Sequence, residues 1–331
     1  MGKIYLVTGA AGHLGGVITQ KLIKNGVSVR ALVLPKEKQI PEKADSFTGD
    51  IRDKESIRHC FEDLNGDELL VIHCAGIVSI TSKVERALYD VNVIGTKNIV
   101  DLCIEYSVSK LVYISSVHAI TEKPKGVVIK ETTQFNPDKV VGAYAKTKAE
   151  ATAYVLGAVQ KGLNACVVHP SGIIGPYDYG GGHINALIID YCKGRLTSGV
   201  KGGYDFVDVR DVAAGVISAS EKTNKGECYI LSNRYYKISE LLEMLHDITG
   251  RRRIKRFLPL MFVKITAPLA ELYYKVLKQP PLFTSYSIYT LNSNALFSHQ
   301  KATTELGYKT RDMRETLTDT ISWLKGEGRI R

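Results

Sequence analysis

The chain opens on an apolar run, Ile4-Tyr5-Leu6-Val7, that passes directly into VTGAAGHLGG at positions 7–16. Glycines at 9, 12 and 15 stand where a strand should hand over to a helix. This punctuation constrains the fold more than any other feature. Glycine lets the backbone turn tightly and lets an anion come close. The helix expected from Leu14 aims its unpaired N–H groups and positive dipole end at the same spot. A strand, a glycine loop and a helix in that order predict a phosphate-binding loop at the carboxyl end of a strand in an α/β sheet.

The rhythm continues along the first two-thirds of the chain. Strands are expected at Lys3–Thr8, Ser28–Val33, Leu69–His73, Lys110–Ser115 and Asn164–His169, and helices at Leu14–Asn25, Ile51–Asp63, Val84–Glu105 and Ala143–Lys161. Such alternation predicts an α/β fold of Rossmann type, a doubly wound parallel sheet with helices on both faces. From about residue 172 the pattern loosens, with loops at Gly175-Pro176 and Gly180-Gly181-Gly182. We expect residues 1–171 to form the dinucleotide-binding domain, with later segments, including about 205–220, returning to it. Residues 172–331 then form an interleaved, smaller and mostly helical substrate lobe.

At 331 residues, 44% of them hydrophobic, the chain can bury one large core or one core and an annex. The formal charge of +10 allows nucleic-acid, membrane or anionic partners. The basic residues are scattered, however, and the dense run Arg251-Arg252-Arg253 with Lys255 and Arg256 reads as a solvated loop, so no nucleic-acid partner is expected. Six cysteines (60, 74, 103, 166, 192, 228) show neither C-x-x-C nor zinc spacing. They read as reduced, buried thiols in a cytoplasmic protein. No signal peptide is expected at the N-terminus. The apolar stretch Leu258–Leu277 is interrupted by Pro259, Lys264, Pro268 and Glu271, which argues against a membrane-spanning helix and leaves a surface-lying amphipathic one open.

With Thr8 ahead of it, TGAAGHLG resembles the TGxxGxxG loop of the extended short-chain dehydrogenases/reductases, the NAD-dependent epimerase/dehydratase superfamily. The likeness recurs in TGDIRD (48–53), HCAG (73–76), DVNVIGTKNIVDLC (90–103), YISSV (113–117), YAKTK (144–148), HPSGIIGP (169–176) and FVDVRDVA (206–213), covering residues 3 to about 215. It implies an NAD(P)-binding site lined by Gly9, Gly12, His13, Leu14, Lys36, Asp50, Ile51, Ala75, Gly76, Ser115, Lys148, Pro170 and Ser171. Asp50 would meet the adenine ring, and Pro170 and Ser171 would border the nicotinamide. An NAD site wants a carboxylate at the end of the second strand, and a 2′-phosphate wants a cation. The segment VRALVLPKEK places Leu34 there, with Lys36 and Lys38 beyond, so NADP is favoured and NAD remains open. His13 would wall the pocket, or add to the positive field around a 2′-phosphate.

Tyr144 and Lys148 stand four residues apart, on one helix face. An unperturbed phenol titrates near ~10, and a neighbouring ammonium should draw it toward the working range. Tyr144 is therefore the expected proton donor and acceptor, and the resemblance also sets Lys148 on the nicotinamide ribose. Ser116, at the end of the strand Lys110–Ile114, is expected to hydrogen-bond the reacting oxygen. Ser115 is the alternative. His118 could face the pocket as a polar wall, His169 should satisfy backbone groups, and Asn92 is structural or part of a proton relay. Asp208 and Asp211 read as structural hydrogen-bonders, and no metal is expected.

The segments Leu258–Leu277 and PPLFTSYSIYTL (280–291) look similar to the dihydroflavonol-reductase and 3β-hydroxysteroid-dehydrogenase-like subgroup, which implies an apolar substrate. Ordinary core or a dimer surface would explain them as well. Three functions stay open. One is an NAD(P)-dependent reductase or dehydrogenase of a hydrophobic aldehyde, ketone or alcohol. Another is an NDP-sugar epimerase or dehydratase with retained NAD, for which Arg195, Arg234 and Arg251 are candidate diphosphate ligands. The third is a non-catalytic dinucleotide sensor. A homodimer through the faces of the fourth helix and the YxxxK helix is compatible with the resemblance.

Overall fold

The structure, a computed structural model, describes residues 2–37, 39–79, 84–259 and 285–331. Up to residue 170 the chain forms β1 (Lys3–Thr8), α1 (His13–Lys24), β2 (Ser28–Val33), β3 (Asp45–Thr48), α2 (Lys54–Ile57), β4 (Glu68–His73), α3 (Arg86–Tyr89), α4 (Thr96–Glu105), β5 (Lys110–Ile114), α5 (Ala143–Gln160) and β6 (Ala165–Pro170). There follow β7 (Gly172–Ile174), α6 (His183–Cys192), β8 (Gly199–Val200), β9 (Gly203–Asp208), α7 (Val209–Lys222), β10 (Cys228–Leu231), β11 (Arg234–Lys237) and α8 (Ile238–Thr249). Helices Ser285–Asn292, Gln300–Leu306 and Met313–Gly326 close the described chain.

Seven strands make one sheet in the order β10-β6-β5-β4-β1-β2-β3, and every pairing is parallel. The alternation of β1 shows how it is held. Tyr5 and Val7 point into a layer with Ile18 and Leu22 of α1 and Val212 and Val216 of α7. Leu6 points to the opposite layer, with Ile99 and Leu102 of α4 and Ala151 and Val155 of α5. Because both faces are covered, the strands read as unbroken apolar runs instead of alternating ones. The order reverses between β1 and β4, so their following loops diverge and leave a crevice at the carboxyl ends of the strands.

Two sheet strands escaped the reading of the sequence. Segment Asp45–Thr48 is an edge strand whose residues stay largely exposed, so it carries no apolar signature. Segment Cys228–Leu231 is fully buried but lies beyond the regular alternation. The helix expected at 51–63 is only Lys54–Ile57 followed by a 3₁₀ turn, Arg58–Phe61. The one expected at 84–105 begins at Arg86 and widens into a π-helical stretch at Asp90–Gly95. Such wide turns often accompany functional sites.

Beyond β6, strands β7, β9 and β11 form a separate three-stranded sheet. Its core joins Ile174, Ile188, Tyr204, Phe206, Leu241 and Leu245 to Met313, Leu317 and Ile321 of the last helix. All six cysteines are free, five of them buried. Among the described residues no helix is long and apolar enough to cross a membrane. The basic run 251–256 follows α8 without regular structure and borders a groove of about 950 Å³. Most of Leu258–Leu277 and the start of 280–291 lie outside the described residues.

Candidate active site

The glycine loop sits at the reversal of strand order. Gly9 has φ +66°, and a Cβ there would come within 2.9 Å of the backbone of Ala75 at the end of β4. A Cβ at Gly15 would lie 2.2 Å from the carbonyl oxygen of Gly9, so the first turn of α1 rests directly on the loop. The helix starts at Gly12 with no side-chain cap. Its first N–H groups therefore face the crevice as donors, and the cradle is one that side chains would fill. The residues present fit a dinucleotide pyrophosphate.

His13 does not serve as a charged wall. Its Nε2–H donates to the carbonyl of Pro176 at 2.9 Å, and burial holds the imidazole below its ordinary range. It is a neutral strap between the loop and the segment after β7, so the expected addition to a positive field is corrected. Leu14 is buried beneath the loop and Ile51 packs against Gly95. Asp50 is engaged by Arg52 through side chain and backbone, which lowers its pKa. Leu34 and Lys36 are exposed on the turn after β2.

The reactive groups come from three elements. Ser116 follows β5, Tyr144 and Lys148 lie in the first turns of α5, and Ala75 and Gly76 follow β4. The hydroxyl of Ser115 turns away to Thr152 of α5, 2.7 Å distant. That of Ser116 accepts from the amide of His118 at 3.2 Å and lies on the Tyr144 side, where it works against the rise in the Tyr144 pKa. Lys148 Nζ donates to the carbonyl of Ile114 at 2.8 Å, lies over the ring of Tyr113 and stands 3.4 Å from where a Cβ on Gly76 would be.

The electrostatics differ from the expectation for this pair. Burial pushes Tyr144 up to about 12, with the Ser116 hydroxyl opposing, and pulls Lys148 down to about 8. The lysine head gives one of its three donors to the Ile114 carbonyl and is itself desolvated, so it does not draw the phenol toward neutrality. Tyr144 stays protonated well above neutral pH.

Further residues support this group; the sequence pointed to Asn92, His118 and His169, and gave no signal for Tyr204. His73 bridges Thr8 (2.7 Å) and Thr96 (3.1 Å), tying the ends of β1 and β4 to the start of α4, and burial lowers it to about 3. Asn92, in the π-helical stretch, accepts from the amide of Ile77 and donates to the Ile77 carbonyl and to Thr147. This places Asn92 as a clamp between the loop after β4 and the Tyr144 helix. His118 stacks on Tyr204, and its two ring nitrogens lie 3.1 Å from the Tyr204 and 3.3 Å from the Tyr286 hydroxyl. Tyr286 in turn covers Gly142, the cap of α5, where φ is +100° and a Cβ would meet the ring at 2.1 Å. His169 Nδ1 faces the Ser116 carbonyl at 3.1 Å, and its ring stacks on Phe135.

Next to these residues lies a cavity of about 210 Å³, bordered by Val117, His118, Ile120, Val140, Tyr204 and Phe297, with Glu122 and Lys139 also on its rim. Pro170 ends β6, and Ser171 donates to the buried carboxylate of Asp205 at 2.5 Å. Burial raises that carboxyl to about 6. Asp208 caps α7 and pairs with Arg210 (2.7 Å), and Asp211 pairs with Arg311 (2.8 Å). Both are structural. Among the described residues no three His, Cys, Asp or Glu side chains gather as a metal site.

A phosphate cradle at the reversal of a parallel sheet, with a phenol and an amine one helical turn apart beside it, defines an enzyme that acts on CH–OH groups through a nicotinamide dinucleotide. The chain belongs to the NAD-dependent epimerase/dehydratase family, whose profile matches residues 5–232. It is 31% identical to the sterol demethylase protein B of Methylococcus capsulatus, over 98% of this chain and 99% of that protein. It is also 30% identical to the human short-chain dehydrogenase/reductase family 42E member 1, over 98% and 87%. Among solved structures it is similar to the UDP-glucose 4-epimerase of Thermus thermophilus in complex with NAD, with a TM-score of 0.76 and 23% identity over 98% of this chain and 99% of that one. That last likeness is one of fold.

Proposed function

We propose that the protein interconverts a carbonyl and an alcohol on an apolar aldehyde or ketone substrate, with Tyr144 as proton donor and acceptor. The observation that carries this is the grouping of Ser116, Tyr144 and Lys148 beside the glycine cradle, next to a cavity that sets Val117, Ile120, Val140, Tyr204 and Phe297 together with the polar side chains of Glu122, Lys139, Ser293 and Asn294. A dinucleotide bound there supplies or accepts the hydride. In the reducing direction Tyr144, held protonated by burial, gives its proton to the substrate oxygen as that oxygen gains charge. The Ser116 hydroxyl donates to the same oxygen and steadies it. Lys148 reaches the ribose on the nicotinamide side, from its place near Gly76. The reverse direction returns the proton to the phenolate.

An NDP-sugar epimerase is the second reading, favoured by the family and by the fold of the NAD-bound epimerase. Against it, the candidate diphosphate arginines are used elsewhere. Arg195 faces Asp190 at 3.7 Å, Arg234 pairs with Glu240 at 2.6 Å, and Arg251 donates to the Arg331 carbonyl at 2.9 Å. None borders the cavity beside Ser116. The deciding experiment denatures purified protein and identifies any released nucleotide, then follows NADH and NADPH oxidation with aldehydes, ketones and sterols. Consumption of reduced dinucleotide with an apolar carbonyl supports the oxidoreductase. Stoichiometric tightly held NAD, with no net consumption, supports the epimerase instead.

A further inference from the structure

We propose that Glu37 sets the dinucleotide preference of this site, and that it sets it toward NAD. This rests on the nicotinamide reading given above. Strand β2 ends at Val33, and the amide of the next residue, Leu34, donates to Glu37 Oε2 at 2.8 Å. The amide of Glu37 donates back to the Leu34 carbonyl at 3.0 Å. This turn, closed at two points, returns residue 37 to the strand end. A carboxylate therefore stands against the backbone of Leu34, at the strand end where the sequence itself offers no acid.

That strand end belongs to the crevice. The amides of Gly9 and Ala10 reach the Leu32 carbonyl at 3.1 and 3.4 Å, and the amide of Gly49 reaches that of Val33 at 3.1 Å. The end of β2 is thus joined to the glycine loop on one side and to the segment preceding Asp50 on the other. An adenosine ribose running from the loop toward Asp50 passes the tip of β2. Its diol offers two O–H donors, and an ionised carboxylate accepts both. A 2′-phosphate would instead bring a second anion against the first. The Leu34 amide, a backbone donor that could otherwise hold such a phosphate, is already taken by Glu37.

The neighbouring cations among the described residues, Arg52 and Lys36, do not reverse this; Lys38 lies outside them. Both the Nε and Nη2 of Arg52 are engaged by Asp50, at 3.0 and 2.5 Å. Lys36 is exposed, and among the described residues it has no ion pair to hold it toward the strand. Ordering a free lysine costs side-chain entropy that the already positioned glutamate has paid. Leu34 and Lys36 suggest NADP when the sequence is read residue by residue, whereas the folded turn favours NAD.

The test is direct binding. Dissociation constants for NADH and NADPH are measured by nucleotide fluorescence on the full chain, for the wild type, Glu37→Gln and Glu37→Lys. The expected result is NADH bound at least about tenfold tighter by the wild type, a gap that closes in Glu37→Gln and inverts in Glu37→Lys, mainly through tighter NADPH. Glutamine retains an acceptor for the Leu34 amide, so the turn survives that substitution. A wild type that binds NADPH as tightly as NADH, or an NADH preference unchanged in both variants, overturns the assignment while leaving a nicotinamide site intact. Failure of every form to bind either nucleotide overturns the nicotinamide reading and this inference with it.

Discussion

Replacing Asn92 with alanine should damage stability and cofactor binding together. The side chain is fully buried and makes three bonds, with the Ile77 amide (2.8 Å), the Ile77 carbonyl (2.9 Å) and the Thr147 hydroxyl (3.1 Å). A net hydrogen bond is worth about 1 kcal/mol, and stranding a buried partner costs about 1–3 kcal/mol. Ile77 is partly exposed, so water repairs some of its loss, and Thr147 keeps its bond to the Tyr144 carbonyl. The sum is about 2–4 kcal/mol, roughly 4 °C in Tm for a chain of this length. The loop after β4 should also lose its alignment, because Asn92 Oδ1 lies 3.3 Å from a Cβ position on Gly76. We expect about tenfold weaker dinucleotide binding. Urea unfolding of the apo-protein and a nucleotide titration check the two effects. A loss of under about 0.5 kcal/mol with unchanged binding would show that Asn92 is not a clamp.

Tyr144→Phe should lower kcat by at least about a thousandfold while leaving dinucleotide affinity within a factor of a few, read by steady-state kinetics and titration. Lys148 is depressed to about 8, so in the pH range between that value and 10.5 the unfolded state binds more protons than the folded one. Stability should therefore rise with pH through that window, by at most about 3 kcal/mol from this group. Other groups titrate there too, so the contribution is read as the difference between wild type and Lys148→Met in urea midpoints from pH 7 to 10.5; parallel profiles would refute it. Gly142→Ala combines a left-handed backbone with a Cβ at 2.1 Å from the Tyr286 ring. It should cost at least about 2 kcal/mol and reduce activity, whereas Gly157→Ala, where nothing lies within 4 Å, should be neutral or stabilising in the same thermal melts.

What the sequence disclosed was whatever a short window could carry. The passage from β1 through the glycine loop to α1 is local, and so is the helical spacing of Tyr144 and Lys148. The apolar runs of the inner strands are equally plain, because both sheet faces are covered. Features created by tertiary placement were hidden. The strand Asp45–Thr48 is recognisable only by its partner β2, and the wide turn at Asp90–Gly95 only by its hydrogen bonds. Charge was the least legible property. His13 reads as a cation in the sequence, but burial lowers its pKa against the pull of the Pro176 carbonyl, and Lys148 reads as free to tune Tyr144, but its head is desolvated and bonded to the Ile114 carbonyl. Glu37 carried no signal at all, since a carboxylate three residues past the expected position counts only once the turn returns it.

The main sheet is not completed by consecutive chain. After β6 the backbone departs to build β7, α6, β8 and β9, and only then returns through α7 and β10, which pairs with β6 from Cys228 to Leu231. No single cut can therefore release an intact nucleotide-binding half. Cleavage near residue 172 would leave β6 as an exposed edge and strip Val212 and Val216 from above α1. The two lobes of this protein must be inherited, exchanged or engineered as loops spliced into a shared sheet, never as beads on a string.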